Sequence, residues 1–449
     1  MTGLTEELAR FTADPKFAAI PDRAIEIVQS GFADTIATMI AGRKEPVVVI
    51  ARQFVADRRS LADEASILFG ETRAASSDAA LVNGTAGHAL DFDDVALGGH
   101  PSTVLVPAIL AEAERLDASG AEALRSYLVG YEVWAELFVR EQDAYHLKGW
   151  HPTAVLGTVG AAAAIAHLNR LSPEQCRHAL ALAASMACGV VANFGTMTKP
   201  LHAGRAAAAS IDAVRLAAAG LTAAPDAFEH HAGYLAALSP NGRVDRSSPA
   251  SQLGKTLRVL DYGLSIKKYP TCYATHRVID GVLDLARSRS LRPDDVKEVR
   301  ARIGVAQASM LRNHSPVTGL EAKFSLEFAV ASALVAGKVG LSELADDFVA
   351  QFAVRDLMRK VSIITDDSQC PIEPVFSIND RVEVVLNDGT TLDSGDIRFA
   401  RGNARAPLGD AELRAKFLDC TADAEGVDSV ALYARLTELQ SVPSMRALR

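Results

Sequence analysis

Apolar residues recur at three- and four-residue steps through the first part of the chain. In the stretch from Arg23 to Ala41, Ile25, Val28, Phe32, Ile36 and Ile40 share one helical face, and Gly42 follows as a stop. Ser172-Pro173-Glu174-Gln175 reads as a capping box: Ser172 caps, Pro173 takes the first helical position and Gln175 reaches back. Thr153 to Leu168 is crowded with Gly and Ala, which predicts a helix lying close to its neighbours. The helical pattern runs to Gly263, and then the period changes. Ser265 to Tyr269 is a short strand candidate before Pro270, and Arg277 to Ala286 puts Val278, Ile279, Val282, Leu283 and Ala286 on one helical face. Val299, Ala301, Ile303 and Val305 alternate with Arg300, Arg302 and Gly304, as in a half-buried strand. Val361 to Thr365 is another strand candidate. Arg381 to Leu392 predicts a hairpin turning at Asp388-Gly389. From Asp410 to Leu448 the pattern is helical again.

These periods predict a mainly α fold. An all-α domain made of residues 1–264 and 400–449 is interrupted by a smaller α+β domain, residues 265–399. The length of 449 residues agrees, since it exceeds what one simple core uses. Abundant alanine beside only 6% aromatics favours helices packed through small side chains. No internal repeat points to a solenoid.

Charge and composition narrow the function. A net charge of -9 argues against a nucleic-acid surface but leaves an anionic small substrate open, because a cleft can oppose the global charge. Five cysteines, with no CxxC pair, exclude a disulfide framework and a structural zinc site. Glu6 and Glu7 stand where a basic-then-apolar leader would begin, and polar residues interrupt every apolar run. The expectation is a cytoplasmic protein with no membrane partner. Neither a Walker loop nor a dinucleotide fingerprint calls for ATP or NAD, so no cofactor is expected.

Four polar clusters carry the candidate chemistry. The first runs from Asn83 through His88, Asp91, Asp93 and Asp94 to Gly98-Gly99-His100. His88 and Asp91 share a helical face, and the two glycines let the chain turn and bring His100 back. A solvated acidic helix tip is the plainer alternative. In the second, His151-Pro152 opens the Ala-rich helix; a helix N-terminus favours anions and lowers an imidazole's proton affinity. His151 there suits a base or a carboxylate clamp, or merely a cap. The third places Lys199 and His202 among small residues between Gly195 and Gly204, where a partly buried lysine can act as base or carboxylate partner. The fourth, Lys267-Lys268-Tyr269-Pro270, puts cations beside a domain boundary. Cations with one acidic cluster fit a polycarboxylate whose adjacent carbon gives up a proton. Acid–base help contributes roughly 10²–10⁴-fold, and fixed cations must supply the remaining carbanion stabilisation.

At these motifs the sequence resembles the MmgE/PrpD family, which includes 2-methylcitrate dehydratase, cis-aconitate decarboxylase and iminodisuccinate epimerase. The matching pieces are NGTAGHALDFDD with GGHPS, GWHPTAVLGTVGAAAA, TKPLHAGRAAAAS, IKKYPTCYATH and EAKFSLEFAVASAL, in order over nearly the whole chain. The resemblance implies that the α+β domain is a lid inserted in the helical domain. It also implies a homodimer and a cofactor-free, metal-free site of Asp91, His100, His151, Lys199 and Lys267. Two positions depart from the decarboxylase-like pattern: Val95 stands where those members carry threonine, and Phe328 where they carry tyrosine. Tyr145 supplies a phenol instead, in a stretch similar to the epimerase branch.

The leading expectation is therefore an epimerase of a dicarboxylate such as iminodisuccinate. Tyr145 and Lys199 would exchange the α-proton between faces. His151, His100 and Lys267 would bind carboxylates with His202 and His88, and Asp91 would orient a histidine. A dehydratase of a 2-methylcitrate-like hydroxy acid is the alternative within the same chemistry. A Mg²⁺ enzyme using Asp91, Asp93, Asp94 and His100, and a non-catalytic scaffold, stand for other classes.

Overall fold

Small residues set the spacing of the helices that frame the polar clusters. The structure is a computed structural model describing residues 3–448 except 69, 71 and 374. By its internal contacts the chain divides into two units, one of residues 1–266 with 410–449 and one of residues 267–409.

Among the described residues of the first unit, nine longer helices precede residue 219: α1 (Leu4–Ala13), α2 (Asp22–Gly42), α3 (Pro46–Asp57), α4 (Ser76–Ala89), α5 (Ser102–Leu116), α6 (Gly120–Val139), α7 (Pro152–Leu168), α8 (Pro173–Met186) and α9 (Thr198–Ala218). The predicted run from Arg23 is α2, and its apolar stripe of Val28, Phe32, Ile36 and Ile40 is buried. The Ser172 box forms: its Oγ accepts from the Gln175 amide at 3.2 Å, and Gln175 Oε1 accepts from the Ser172 amide at 3.1 Å. A two-residue pair, β1 (Ala65–Ser66) and β2 (Arg73–Ala74), lies between α3 and α4. After the second unit the chain returns as the helices Asp410–Thr421 and Ser429–Thr437, and the former packs on α2.

Helices α4 and α9 run antiparallel and very close. A Cβ on Gly84 would lie 2.9 Å from the Gly204 Cα, and one on Gly204 would lie 2.1 Å from the Leu81 carbonyl. No side chain fits there, so the glycines are required by contact. Their crossing carries the C-terminal end of α4, leading to Asp91, onto the N-terminal end of α9, which holds Lys199. The Ala-rich α7 packs against both α6 and α9.

The second unit has a four-stranded sheet of order β4-β3-β5-β6: β3 (Val296–Gly304), β4 (Val361–Asp366), β5 (Arg381–Leu386) and β6 (Thr391–Asp393). β3 is parallel to β4 and antiparallel to β5, and β5 pairs antiparallel with β6 through the Asp388-Gly389 turn. Val299, Ala301 and Ile303 are buried while Arg300 and Arg302 are not, as the alternation predicts, but Val305 lies outside the strand, exposed at the start of the helix Val305–Met310. The helix His276–Arg289 buries Val278, Ile279, Val282 and Leu283. The strand expected at Ser265 to Tyr269 does not form. Ser265 makes a single bridge with Val95, and among the described residues no neighbouring strand extends it into a ladder. Among the described residues, no helix is long and apolar enough to cross a membrane.

Candidate active site

The loop after α4 gathers most of the predicted polar residues in the first unit. Asp91 adopts a left-handed backbone, φ 52°, which ends α4 and turns the next residues sharply. The chain then folds back in a two-residue turn. Ala96 and Gly99 exchange both backbone hydrogen bonds, at 3.0 and 2.9 Å, around Leu97 and Gly98, both with positive φ. That turn returns His100 to the loop, where its amide donates to Thr153 Oγ1 in the first turn of α7 at 3.1 Å.

Asp93 is fully buried between two imidazoles. His88 Nδ1 lies 3.0 Å from both its oxygens, and His100 Nδ1 lies 3.0 Å from Oδ2, poorly aligned for a hydrogen bond. Burial alone would raise the Asp93 carboxyl, but the two histidines hold it well below the usual carboxylate range. Burial pushes His88 down to about 4, against the pull of Asp93, so His88 is a neutral ring at neutral pH that donates Nδ1–H to an ionised carboxylate. Its Nε2 is buried without a hydrogen-bond partner. Asp91 accepts from Lys199 Nζ at 2.5 Å and lies 3.9 Å from His100 Nε2.

His151 precedes Pro152 at the start of α7 but makes no side-chain cap. Its Nδ1 instead meets His202 Nδ1 at 3.1 Å, so one ring donates and the other accepts. Burial, then His88 and Lys199, push His151 well below the ordinary imidazole range; burial and Lys199 lower His202 also. The His88 ring lies 4.4 Å from that of His100 and 6.0 Å from that of His151, centroid to centroid. Phe194 joins these groups to the lysine. Its ring meets His151 edge-on at 4.8 Å, and Lys199 Nζ lies 5.4 Å from its centroid.

The structure thus brings together Asp91, His88, His100, His151, Lys199 and His202. Tyr145 is not turned to this group: its ring is buried and its hydroxyl donates to the Leu137 carbonyl at 3.3 Å. Burial and the nearby Glu141 push that phenol far up, the wrong direction for a proton shuttle at neutral pH. Lys267 is the first residue of the second unit and is buried. Phe328 is a core residue of that unit, edge-on to Phe348. The metal set expected from Asp91, Asp93, Asp94 and His100 is also altered. Asp94 turns away to accept from the Ser102 amide and hydroxyl, and His88 takes its place: one ligand atom each from His88, Asp91, Asp93 and His100 lies within 4.8 Å of the others. Those four could hold a divalent cation, although the ammonium on Asp91 competes for that carboxylate. The sequence offers Asp93 only as a ligand of the alternative metal set, not as a member of the acid–base site, and does not single out Phe194. The alternation of Asp91 and Asp93 was a usable signal for the first; an aromatic in a Gly-containing loop was a weak one for the second.

Comparison with known proteins agrees with the motifs. Residues 6–247 match the MmgE/PrpD N-terminal domain and residues 269–432 the MmgE/PrpD C-terminal domain. A human cis-aconitate decarboxylase is 30% identical over 433 residues, covering 93% of this chain and 87% of that protein. The Mus musculus cis-aconitate decarboxylase is 31% identical over 351 residues, 76% of this chain and 70% of its own. An Aspergillus terreus cis-aconitate decarboxylase is 24% identical over 419 residues, 87% and 84% of the two chains. The chain belongs to the MmgE/PrpD family.

Proposed function

We propose that this protein is a lyase of a hydroxy-polycarboxylate, taking a proton from the carbon beside a carboxylate and expelling hydroxide from the next carbon. One observation carries the reading: a desolvated, neutral imidazole and an ammonium meet the same aromatic ring, His151 at 4.8 Å and Lys199 at 5.4 Å from Phe194. Elimination needs a base and an acid together. His151, its proton affinity raised by the bound carboxylates, takes the carbon-bound proton, the electron pair forms the alkene, and the Lys199 ammonium protonates the leaving hydroxide to water. His100 binds a substrate carboxylate, and Asp91 holds Lys199 in place. The relatives' names support lyase chemistry on a polycarboxylate. They favour the lyase class over the epimerase expectation, and Tyr145, engaged with the Leu137 carbonyl, leaves that expectation without its second proton carrier.

The test is a panel of citrate, 2-methylcitrate, cis-aconitate and iminodisuccinate incubated in heavy water and followed by NMR. Alkene formation from a hydroxy acid supports the proposal. Carbon dioxide release from cis-aconitate alone, or α-deuteration without any new alkene, overturns it.

A second reading is favoured by the four-residue cluster of His88, Asp91, Asp93 and His100. If these hold a divalent cation, the ion would supply Lewis acidity at a substrate oxygen. Activity lost on chelation and restored by one metal selects this reading; activity unchanged after exhaustive chelation removes it.

A further inference from the structure

The four-residue run Asp91-Phe92-Asp93-Asp94 is anchored alternately. Asp91 and Asp93 reach Lys199, His88 and His100. Phe92 and Asp94 face the protein instead. The Phe92 carbonyl accepts from Lys416 Nζ at 2.7 Å, and the same ammonium sits 3.8 Å from the Phe92 ring centroid. Asp94 holds Ser102, whose hydroxyl also meets Tyr127 at 2.7 Å. Lys416 comes from the helix Asp410–Thr421, far along the chain, and is almost wholly buried. Its charge is matched by Asp34 of α2, 2.5 Å away and fully buried.

A buried lysine is costly unless paired, and a pair of this kind often adds little net stability compared with apolar side chains. What this pair uniquely supplies is a charged donor aimed at one backbone carbonyl, between the two carboxylates that hold the lysine and the histidines. We infer that Lys416, held by Asp34, is a positioning residue for the active site: it clamps the Phe92 peptide and so sets where Asp91 and Asp93 present their oxygens. Lys416 touches no reacting atom in this scheme. The inference rests on the reading of the Asp91–His100 loop as the site.

The experiment compares Lys416→Met, Lys416→Arg and the double variant Asp34→Asn/Lys416→Met with the unaltered full chain, first by hydrogen exchange without ligand. Lys416→Met leaves a buried carboxylate unmatched and loses stability, and the double variant recovers it by removing both charges. In both, amide exchange over residues 91–95 rises about ten- to a hundredfold, as expected for losing one hydrogen bond from a charged donor. With whichever acid of the panel is turned over, the double variant loses about a hundredfold in kcat, with a smaller change in KM, because small displacements of a catalytic group are that costly. Lys416→Arg, which keeps a charged donor, restores part of the loss. Wild-type exchange in the loop of the double variant, or full recovery of kcat with stability, overturns the inference. Asp91→Asn separates the two claims: if that variant keeps full activity the functional reading fails, while the exchange result still decides whether Lys416 clamps the loop.

Discussion

Two buried charge clusters in this protein are built to different standards. In the second unit, Arg277 is almost wholly buried, yet its guanidinium donates to the Ser377 carbonyl at 2.9 Å and to Glu373 at 2.8 Å, and it lies 3.5 Å from Asp380. Asp380 accepts further from Ser377 Oγ at 2.7 Å and Gln307 at 2.9 Å. In the first unit, the cluster around Asp93 keeps His88 Nε2 buried without a hydrogen bond, and His100 Nδ1 meets Asp93 only at a poor angle. A completed network fixes a fold, whereas buried polar atoms left unsatisfied cost stability and persist where something else uses them. The second unit's cluster is thus structural, and the first unit's is where the proposed substrate would complete the bonding.

The largest effect that could break this contrast is on folding. Arg277→Ala strands Asp380 and should cost about 3–5 kcal/mol in stability, since removing one partner of a buried pair leaves an uncompensated charge. Denaturant melts would show this, and a near-wild-type midpoint would place Arg277 outside the structural class. His151→Gln should do the reverse, with a roughly 10²–10⁴-fold loss of turnover and little change in melting.

Acid should act on the two clusters with opposite sign. Folding lowers His88 from 6.5 to about 4, so between those values the unfolded chain binds the extra proton and stability falls as pH drops, by on the order of a few kcal/mol. Burial raises Asp380 from 3.8 to about 6 despite Arg277, so there the folded chain binds the extra proton and stability falls as pH rises through that window. Melting against pH should therefore steepen on the acid side in Asp380→Asn and flatten in His88→Gln. The smallest effect belongs to Tyr145→Phe. It should lose about 1 kcal/mol for one backbone hydrogen bond and keep turnover within a fewfold; a loss of about a hundredfold would return Tyr145 to the chemistry.

Local signals in the sequence were legible where a local rule decides the structure. The stripe of α2, the Ser172 box, the alternation of β3 and the Asp388-Gly389 turn are all contained within a few residues, and each forms. Ser265 to Tyr269 looked like a strand but finds only one bridging partner, because a strand needs a neighbour that its own sequence cannot supply. In the polar clusters, His88, Asp91, His100, His151, Lys199 and His202 stood out by residue type beside glycines, and the Gly84–Gly204 contact explains why distant segments meet. The direction of a side chain was not legible. Tyr145 lies six residues before His151 yet turns to the Leu137 carbonyl, and Asp94 follows Asp93 yet faces Ser102. Lys416 was invisible for the same reason, since its partners Asp34 and Phe92 are more than three hundred residues away in sequence.

The central claim divides proton removal and leaving-group protonation between two residues, and one variant addresses it directly. Lys199→Met, incubated with the reactive hydroxy acid in heavy water, should still exchange the α-proton while forming no alkene, because the base remains and the acid is gone. Lys199→Met that eliminates at the wild-type rate, or that loses exchange while His151→Gln retains it, would contradict the assignment.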